Sequence, residues 1–407
     1  MNCRHCASPL HHKFLDLGFA PPSNAYLTSA DLSRPEKYYP LRVMVCDNCW
    51  LVQTEDYAQA DELFSADYAY FSSTSSSWLT HAQDYCRRAT ERLGLGPDSH
   101  VVEVASNDGY LLRNFVAAGI PCLGIEPTAS TAAVAEAAGI PVLREFFGEA
   151  LGRKLTVEGL SADLIIGNNV YAHVPEINDF TRGLAALLKT QGVVTLEFPH
   201  LLQLIEHTQF DTVYHEHFSY LSLSAVERIF DAAGLRVWDV EELTTHGGSL
   251  RVYGCRAGSE RGSTPRVAAL LEREQKAGLL RLETYTTFQD RADKVKEDLL
   301  LFLIEQKRNG KRVAAYGAAA KGNTLLNYAG VKPDLLPYVC DAAPAKQGKF
   351  LPGSHIPIWA PETLRESPPD FVLILPWNIA SEVRGQLADL ADGGARFVTA
   401  VPELQIR

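Results

Sequence analysis

No stretch of this sequence approaches the roughly 18 uninterrupted apolar residues that a bilayer crossing needs, so nothing in it reads as a membrane span. Blocks of Lys or Arg are also missing. With 38 basic and 49 acidic side chains the formal charge is -11, which disfavours a partner held by its phosphate backbone. There is no internal repeat and no low-complexity tract. The opening residues, Met1-Asn2-Cys3-Arg4-His5-Cys6, do not read as a secretion signal. Four of the eight cysteines, Cys86, Cys122, Cys255 and Cys340, are scattered and read as reduced thiols of a cytoplasmic protein. What remains is an ordinary globular composition. The 407 residues are 46% apolar, enough for two or three domains at about 100–200 residues each.

The other four cysteines form two short pairs, Cys3-x-x-Cys6 and Cys46-x-x-Cys49. Four thiolates can close a tetrahedral shell around zinc and leave no position open for substrate, so the metal expected here is structural. It would stabilise a small N-terminal unit that has too little core to fold alone. A redox Cys-x-x-Cys is the rival reading, which two pairs within the first 50 residues fit poorly. Zinc ribbons often bind nucleic acid, so the metal alone does not name an activity.

The Ser-rich run 72–77 is either a linker or, equally, a helix start at Ser76 or Ser77, after which Trp78, Leu79, Ala82 and Tyr85 recur at helical spacing. From residue 100 short apolar runs alternate with helical stretches. Strands are expected at 100–104, 121–125, 162–167 and 192–198, and helices at 110–118 and 129–138. That alternation implies an α/β domain with a parallel sheet and right-handed crossovers. Residues 267–309 read as an amphipathic helix stopped by Asn309-Gly310. A second alternating block follows, with strands at 311–316, 336–340, 371–375 and 397–401, which is a smaller Rossmann-like unit. The expected domains are 1–70, 71–265 and 266–407.

Five segments carry chemistry. Val104-Ala105-Ser106-Asn107-Asp108-Gly109 is a strand, a tight turn and a helix start, with backbone amides at a strand's C-terminal end. It lacks G-x-G-x-x-G, so a dinucleotide is not its obvious ligand; a purely structural turn is the plain alternative. Glu126 lies at the tip of the next strand, placed to accept ribose hydroxyl protons. Asn168 and Asn169 follow a third strand, and His173 lies just beyond them, as a loop cap or a catalytic group. Phe210-Asp211-Thr212-Val213-Tyr214-His215-Glu216-His217-Phe218 concentrates four titratable side chains in four positions, 214–217. Read as an extended strand, it sets Tyr214 and Glu216 opposite His215 and His217. It is either a general base on a rigid support or a polar loop over a core. His246-Gly247-Gly248 is a close-approach turn or a plain hairpin. In the last unit, Tyr316-Gly317-Ala318-Ala319-Ala320-Lys321-Gly322-Asn323 would admit a phosphate to a helix N-terminus, and Trp377-Asn378 adds an aromatic face and an amide. Packing of small residues is the alternative there.

Taken together and in this order, these segments resemble the sugar C-methyltransferases that tailor deoxysugars, the D-tetronitrose C-3 methyltransferase group in particular. The resemblance runs nearly full length. It implies a small zinc-binding N-terminal domain on Cys3, Cys6, Cys46 and Cys49, a class I methyltransferase Rossmann-like central domain, and a C-terminal Rossmann-like domain. It further implies S-adenosylmethionine held by Glu103, Asn107, Asp108, Gly109, Glu126, Asn168 and Asn169. The substrate implied is a nucleoside-diphosphate 4-keto sugar near Tyr70, Phe71, Lys321, Asn323, Trp377 and Asn378. The active-site group implied is Tyr214, Glu216 and His217, with His217 as base and Tyr214 or His246 beside the ketone oxygen. The chain departs from the family at His215, where an acid is usual, and at Ala105, where glycine is common.

The expected reaction is methylation at carbon, C-3 before C-5, through an enolate. O- or N-methylation of a nucleotide sugar is the nearest rival. A nicotinamide oxidoreductase and a zinc-ribbon interaction protein are more distant ones. Neither nucleic acid nor membrane is an expected partner, and a monomer is the working expectation.

Overall fold

The computed structural model describes residues 1–55, 73 and 76–407. Tyr70 and Phe71 lie outside the described residues. In chain order the strands are β1 (His12–Ala20), β2 (Tyr39–Val45), β3 (Val52–Thr54), β4 (Val101–Val104), β5 (Cys122–Ile125), β6 (Val142–Leu143), β7 (Ala162–Asn168) and β8 (Leu188–Pro199). They continue as β9 (Ser219–Tyr220), β10 (Leu235–Leu243), β11 (Ser249–Arg256), β12 (Val313–Tyr316), β13 (Val339–Cys340), β14 (Ile358–Trp359), β15 (Phe371–Ile374), β16 (Arg396–Thr399) and β17 (Gln405–Ile406).

Three sheets result. The central one runs β10-β11-β8-β7-β4-β5-β6. Its strands from β8 to β6 are parallel, and β11 and β10 form an antiparallel pair on one edge. β4 is buried along its whole length and β7 at all but one position, which is why both read as near-continuous aliphatic runs. The chain leaves β4 for β5 and returns on its other side as β7, so a crevice opens at the strand tips there. The third sheet, β14-β13-β12-β15-β16-β17, repeats this plan, with its reversal between β12 and β15. This is the two-Rossmann architecture expected from the sequence.

Of the two readings of the Ser-rich run the helix start holds: the helix Ser76–Leu93 buries Ala82, Tyr85, Cys86 and Ala89 in one core cluster with Leu111 and Phe115. The stretch expected as one helix over 267–309 is three helices, Pro265–Lys276, Leu282–Thr286 and Phe288–Arg308. The strand expected at 336–340 shrinks to the two residues of β13. Among the described residues no helix is long and apolar enough to cross a membrane.

The N-terminal sheet is antiparallel, β1-β2-β3-β9, and its fourth strand comes from residues 219–220. Phe14 of β1 stacks on Phe288 at 4.7 Å and meets Tyr285 edge-on at 5.7 Å, so this sheet packs on the helical connector. The segment 210–218 therefore lies between the N-terminal unit and the tips of the other two sheets.

Candidate functional site

All four Sγ atoms of Cys3, Cys6, Cys46 and Cys49 lie within 4.8 Å of one another, with Cys3–Cys49 and Cys6–Cys46 at 3.5 Å. A tetrahedron with Zn–S bonds of about 2.3 Å has edges of about 3.8 Å, so this set fits one zinc ion. The two pairs are built alike. Ala7 and Trp50, each just after the second cysteine, hold φ at 59° and 63°, and their amides donate to the carbonyls of Cys3 and Cys46. Buried Gln53 donates from Nε2 to Cys3 Sγ at 3.2 Å.

After β4 the turn 105–109 winds back toward the tip of β5. Glu126 accepts the Asn107 amide on Oε2 at 2.9 Å and the Thr128 amide on Oε1 at 2.8 Å. Asp108 is buried; its Oδ2 accepts the Ser73 amide at 3.1 Å, and its Oδ1 has no partner among the described residues. Glu103 is buried beneath them, its Oε2 likewise without a partner among the described residues, and burial, then the charges of Glu126 and Asp108, push its pKa well above the usual range. Its protonated form is favoured, so it can donate. Gly109 has a packing reason: a Cβ there would lie 2.2 Å from Ile140 Cδ1 and 3.1 Å from Ala135 Cβ. The glycine lets the turn close on helix Ala129–Ala137.

Ala105 holds φ at 57°, a left-handed conformation that costs a side-chain-bearing residue about 1–2 kcal/mol. Glycine gives back part of that through its own backbone entropy. Ala105→Gly should therefore be neutral to about 1 kcal/mol more stable, read as an unchanged or raised urea midpoint.

The segment 210–218 is not extended. Phe210–Thr212 is a 3-10 turn, and the His217 amide donates to the Tyr214 carbonyl at 3.2 Å. That i to i+3 bond brings Tyr214 and His217 to the same side, with ring centroids 4.5 Å apart, where alternation predicted opposite sides. His217 Nδ1 is 3.1 Å from the Thr212 carbonyl. A carbonyl only accepts, so Nδ1 carries the proton and Nε2 keeps its lone pair. Burial, then neighbouring His173, lowers the His217 pKa well below the usual value, which keeps the ring neutral. His173 stands edge-on at 4.6 Å. Glu216 accepts from Asn24 Nδ2 at 2.9 Å, and burial pushes its carboxyl up to about 7. His215 turns to the N-terminal sheet, with Nε2 3.2 Å from the Tyr39 carbonyl, a contact that an acid in ionised form could not make.

His246 sits in the hairpin between β10 and β11 with φ at 55°. Its Nε2 is 3.2 Å from Asn169 Nδ2, an assignment that leaves the proton on Nδ1, and burial, then Lys321, lowers its pKa to about 4. The ring is thus a neutral donor. Asn168 lies beside the Tyr110 hydroxyl. At the tip of β15, Trp377 leans on Gly247, where a Cβ would come within 2.4 Å of Cη2. The Trp377 indole donates to Asp211 Oδ2 at 2.7 Å. Lys321 Nζ lies 4.5 Å from the Trp377 ring centre and donates to Asn378 Oδ1 at 2.7 Å.

Lys321, Trp377 and Asn378 thus meet where the third sheet faces the histidines. Asn323 does not join them: it is buried and donates from Nδ2 to the Ser23 carbonyl at 2.6 Å. The Ala318 amide in the turn before it is taken by Asp341 at 2.7 Å, so that amide is already spent within the protein.

Sequence reasoning passed over Asn24, His81, Glu197, Asp211 and Arg251. Asp211, held at about 6 by burial, anchors Trp377. Glu197 accepts from His81, Thr245 Oγ1 and Arg251. An acid inside the apolar run Val193-Val194-Thr195-Leu196-Glu197-Phe198 was the available signal, since a buried charge needs a partner.

Three family models match the chain: "Putative zinc binding domain" over residues 3–64, "Methyltransferase domain" over 78–240, and "C-methyltransferase C-terminal domain" over 244–402. The chain is 35% identical over 407 residues to the C-methyltransferase NovU of Streptomyces niveus, covering 99% of this chain and 96% of that one. Among solved structures, magnesium protoporphyrin IX methyltransferase of Synechocystis PCC 6803 with bound SAH aligns with TM-score 0.36 and 15% identity, over 44% of this chain and 84% of its own. An S-adenosylmethionine dependent methyltransferase of Mesorhizobium loti aligns with TM-score 0.34 and 15% identity, over 44% and 100%. Likenesses that faint decide nothing.

Proposed function

The chain belongs to the S-adenosylmethionine-dependent C-methyltransferase family, and from that premise we propose that its acceptor is a ring carbon, C-3 first, of a nucleoside-diphosphate 4-keto-deoxysugar. The observation that supports this most is the state of His217. Its Nδ1–H is tied to the Thr212 carbonyl, its ring is neutral, and its Nε2 is left as a buried base. A C–H next to a ketone is acidic because its anion is an enolate. His217 Nε2 takes that proton, and Tyr214 or His246 donates to the ketone oxygen as charge develops there. S-adenosylmethionine, when bound, supplies an electrophilic methyl group on sulfur.

Glu126 suits its ribose, and the unpartnered oxygens of Glu103 and Asp108 suit its polar end, with Asn107, Asn168 and Asn169 alongside. Lys321, Trp377 and Asn378 suit the sugar diphosphate. Glu216, in contact with Asn24, fixes the turn that presents His217. Four thiolates fill a zinc ion's shell, so zinc at the cysteines takes no part in the chemistry.

Glu126→Ala removes an acceptor of charge-assisted hydrogen bonds worth about 1.5–3 kcal/mol each. S-adenosylmethionine binding should weaken by roughly 10- to 100-fold in calorimetry. Unchanged affinity would take Glu126 out of the cofactor site.

The function itself is tested with a panel of nucleotide-linked 4-keto sugars and S-adenosylmethionine, the methyl being located by NMR. A new C–CH3 at C-3 is the expected product. Methyl on oxygen or nitrogen rejects the proposal.

A further inference from the structure

We infer that the first cysteine pair, through Arg4, sets the spacing of the two histidine-bearing loops, so that Arg4 is a positioning residue for methyl transfer. The inference rests on the role proposed above for His217. Arg4 lies inside the pair, between Cys3 and Cys6. Its guanidinium donates from Nη1 to the Pro175 carbonyl at 2.9 Å and from Nη2 to the Thr54 carbonyl at 3.1 Å. The same group lies 5.4 Å from the centre of the Phe218 ring. Pro175 is two residues beyond His173, and Phe218 is the residue after His217. One planar fork therefore touches both loops, whose histidine rings stand 4.6 Å apart.

The neighbouring contacts run the same way. His5 Nδ1 is 2.8 Å from Asn178 Oδ1, and Asn178 Nδ2 donates to the His5 carbonyl at 2.8 Å. The second cysteine pair leads within three residues into β3, which pairs with β9 just past His217. There the Thr54 amide donates to the Phe218 carbonyl at 3.2 Å, and Thr54 Oγ1 to the His217 carbonyl at 3.3 Å. Gln53 closes the circuit, accepting the Arg4 amide on Oε1 at 2.9 Å and donating to Cys3 Sγ at 3.2 Å. Neither histidine lies in a strand or an α-helix: His173 ends a short 3-10 turn and His217 lies in a tight turn. Their separation is set by what clasps them, and the clasp is the sulfur-bound unit. Metal–thiolate bonds would make that unit rigid. Lysine cannot substitute, since a single ammonium does not reproduce a fork held between two carbonyls.

The test uses full-length Arg4→Met and Arg4→Lys. Zinc content, S-adenosylmethionine affinity, kcat and acceptor KM on the best sugar nucleotide of the panel, and hydrogen exchange over 171–178 and 210–220 are all measured. Both variants should keep one zinc per chain and bind S-adenosylmethionine within about twofold of the parent, because the cysteines and the 105–109 turn are untouched. Exchange should speed up in both peptides, and kcat should fall roughly 10- to 100-fold with a smaller change in KM. Unchanged exchange in either peptide overturns the inference, and so does faster exchange with an unchanged kcat. Full activity of a His217 variant would instead sink the assignment of the base, and would leave the exchange result standing.

Discussion

His217→Ala should lower methyl transfer by about 10²- to 10⁴-fold while S-adenosylmethionine binds within about twofold of the parent, because the change removes a base and leaves the cofactor turn intact. The size follows from how the ring is held. Nδ1 is spent on the Thr212 carbonyl, so only Nε2 can accept a proton. Tyr214 cannot take over, since burial, then Asp211 and Glu216, pushes its pKa well above the ordinary phenol value. His173 is near enough to rescue a small residual rate, with a pKa lowered to about 4 by burial. The pH profile carries a second check. A base whose pKa is held well below the usual imidazole value stays unprotonated as pH falls through 6.5, so His217 contributes no acid limb there. Glu216, pushed up to about 7, does titrate in that range, and a limb near 7 that vanishes in Glu216→Gln belongs to it. A limb near 6 that survives that change and vanishes in Asp211→Asn belongs to Asp211, held at about 6; one that survives both changes would mean a solvated His217, contrary to the buried ring seen here.

The parallel strands and the metal knuckles were legible because their signals are local. β4 and β7 are aliphatic runs bounded by turns, and Cys-x-x-Cys is a spacing within one knuckle. The loop 210–218 was not legible, because its shape is decided elsewhere. Asn24 holds Glu216, the Tyr39 carbonyl holds His215, and Thr54 holds the backbone at His217 and Phe218, so no periodicity could report it. Gly109 was legible as a necessary glycine, but the atom that makes it necessary is Ile140 Cδ1, 31 residues on. Asn323 looked like a phosphate ligand beside Lys321 because both open one helix. The fold turns Asn323 to Ser23 and leaves Lys321 with Trp377 and Asn378. The resemblance supplied the family, and the pairing of His173 with His217 needed coordinates.

Glu197→Ala should destabilise the protein by about 3–5 kcal/mol, seen as a lowered urea midpoint, because it leaves the Arg251 guanidinium buried without its main partner. Glu197 and Arg251 are both 0% exposed, 54 residues apart in sequence, with Nη2 to Oε2 at 2.5 Å. His81 Nε2 lies 3.1 and 3.0 Å from the two carboxylate oxygens, and Thr245 Oγ1 donates at 3.1 Å. Arg251 reaches Glu241 at 3.0 Å with its other amine and lies 4.4 Å from the Tyr85 ring centre. The cost comes from a buried cation left with Glu241 alone more than from the lost attraction, so Glu197→Met with Arg251→Met should cost clearly less than Glu197→Ala alone. Equal or greater loss in the pair would show that the ionic contact itself supplies the stability. The pH dependence is set by the acid. Burial raises the Glu197 pKa, and His81 and Arg251 outweigh that and bring it down to about 2. A folded pKa below the unfolded value of about 4.3 gives stability that is complete above that value and is lost as pH falls through about 2. The parent should therefore lose an increment between roughly pH 5 and 2 that the double variant lacks. Activity separates the two consequences of the change. The Glu197 main-chain carbonyl, which holds the Asn169 amide at 2.7 Å, survives the substitution, whereas the bond to Thr245 beside His246 does not. Folded Glu197→Ala should consequently bind S-adenosylmethionine normally and lose kcat only as far as the His246 turn loosens.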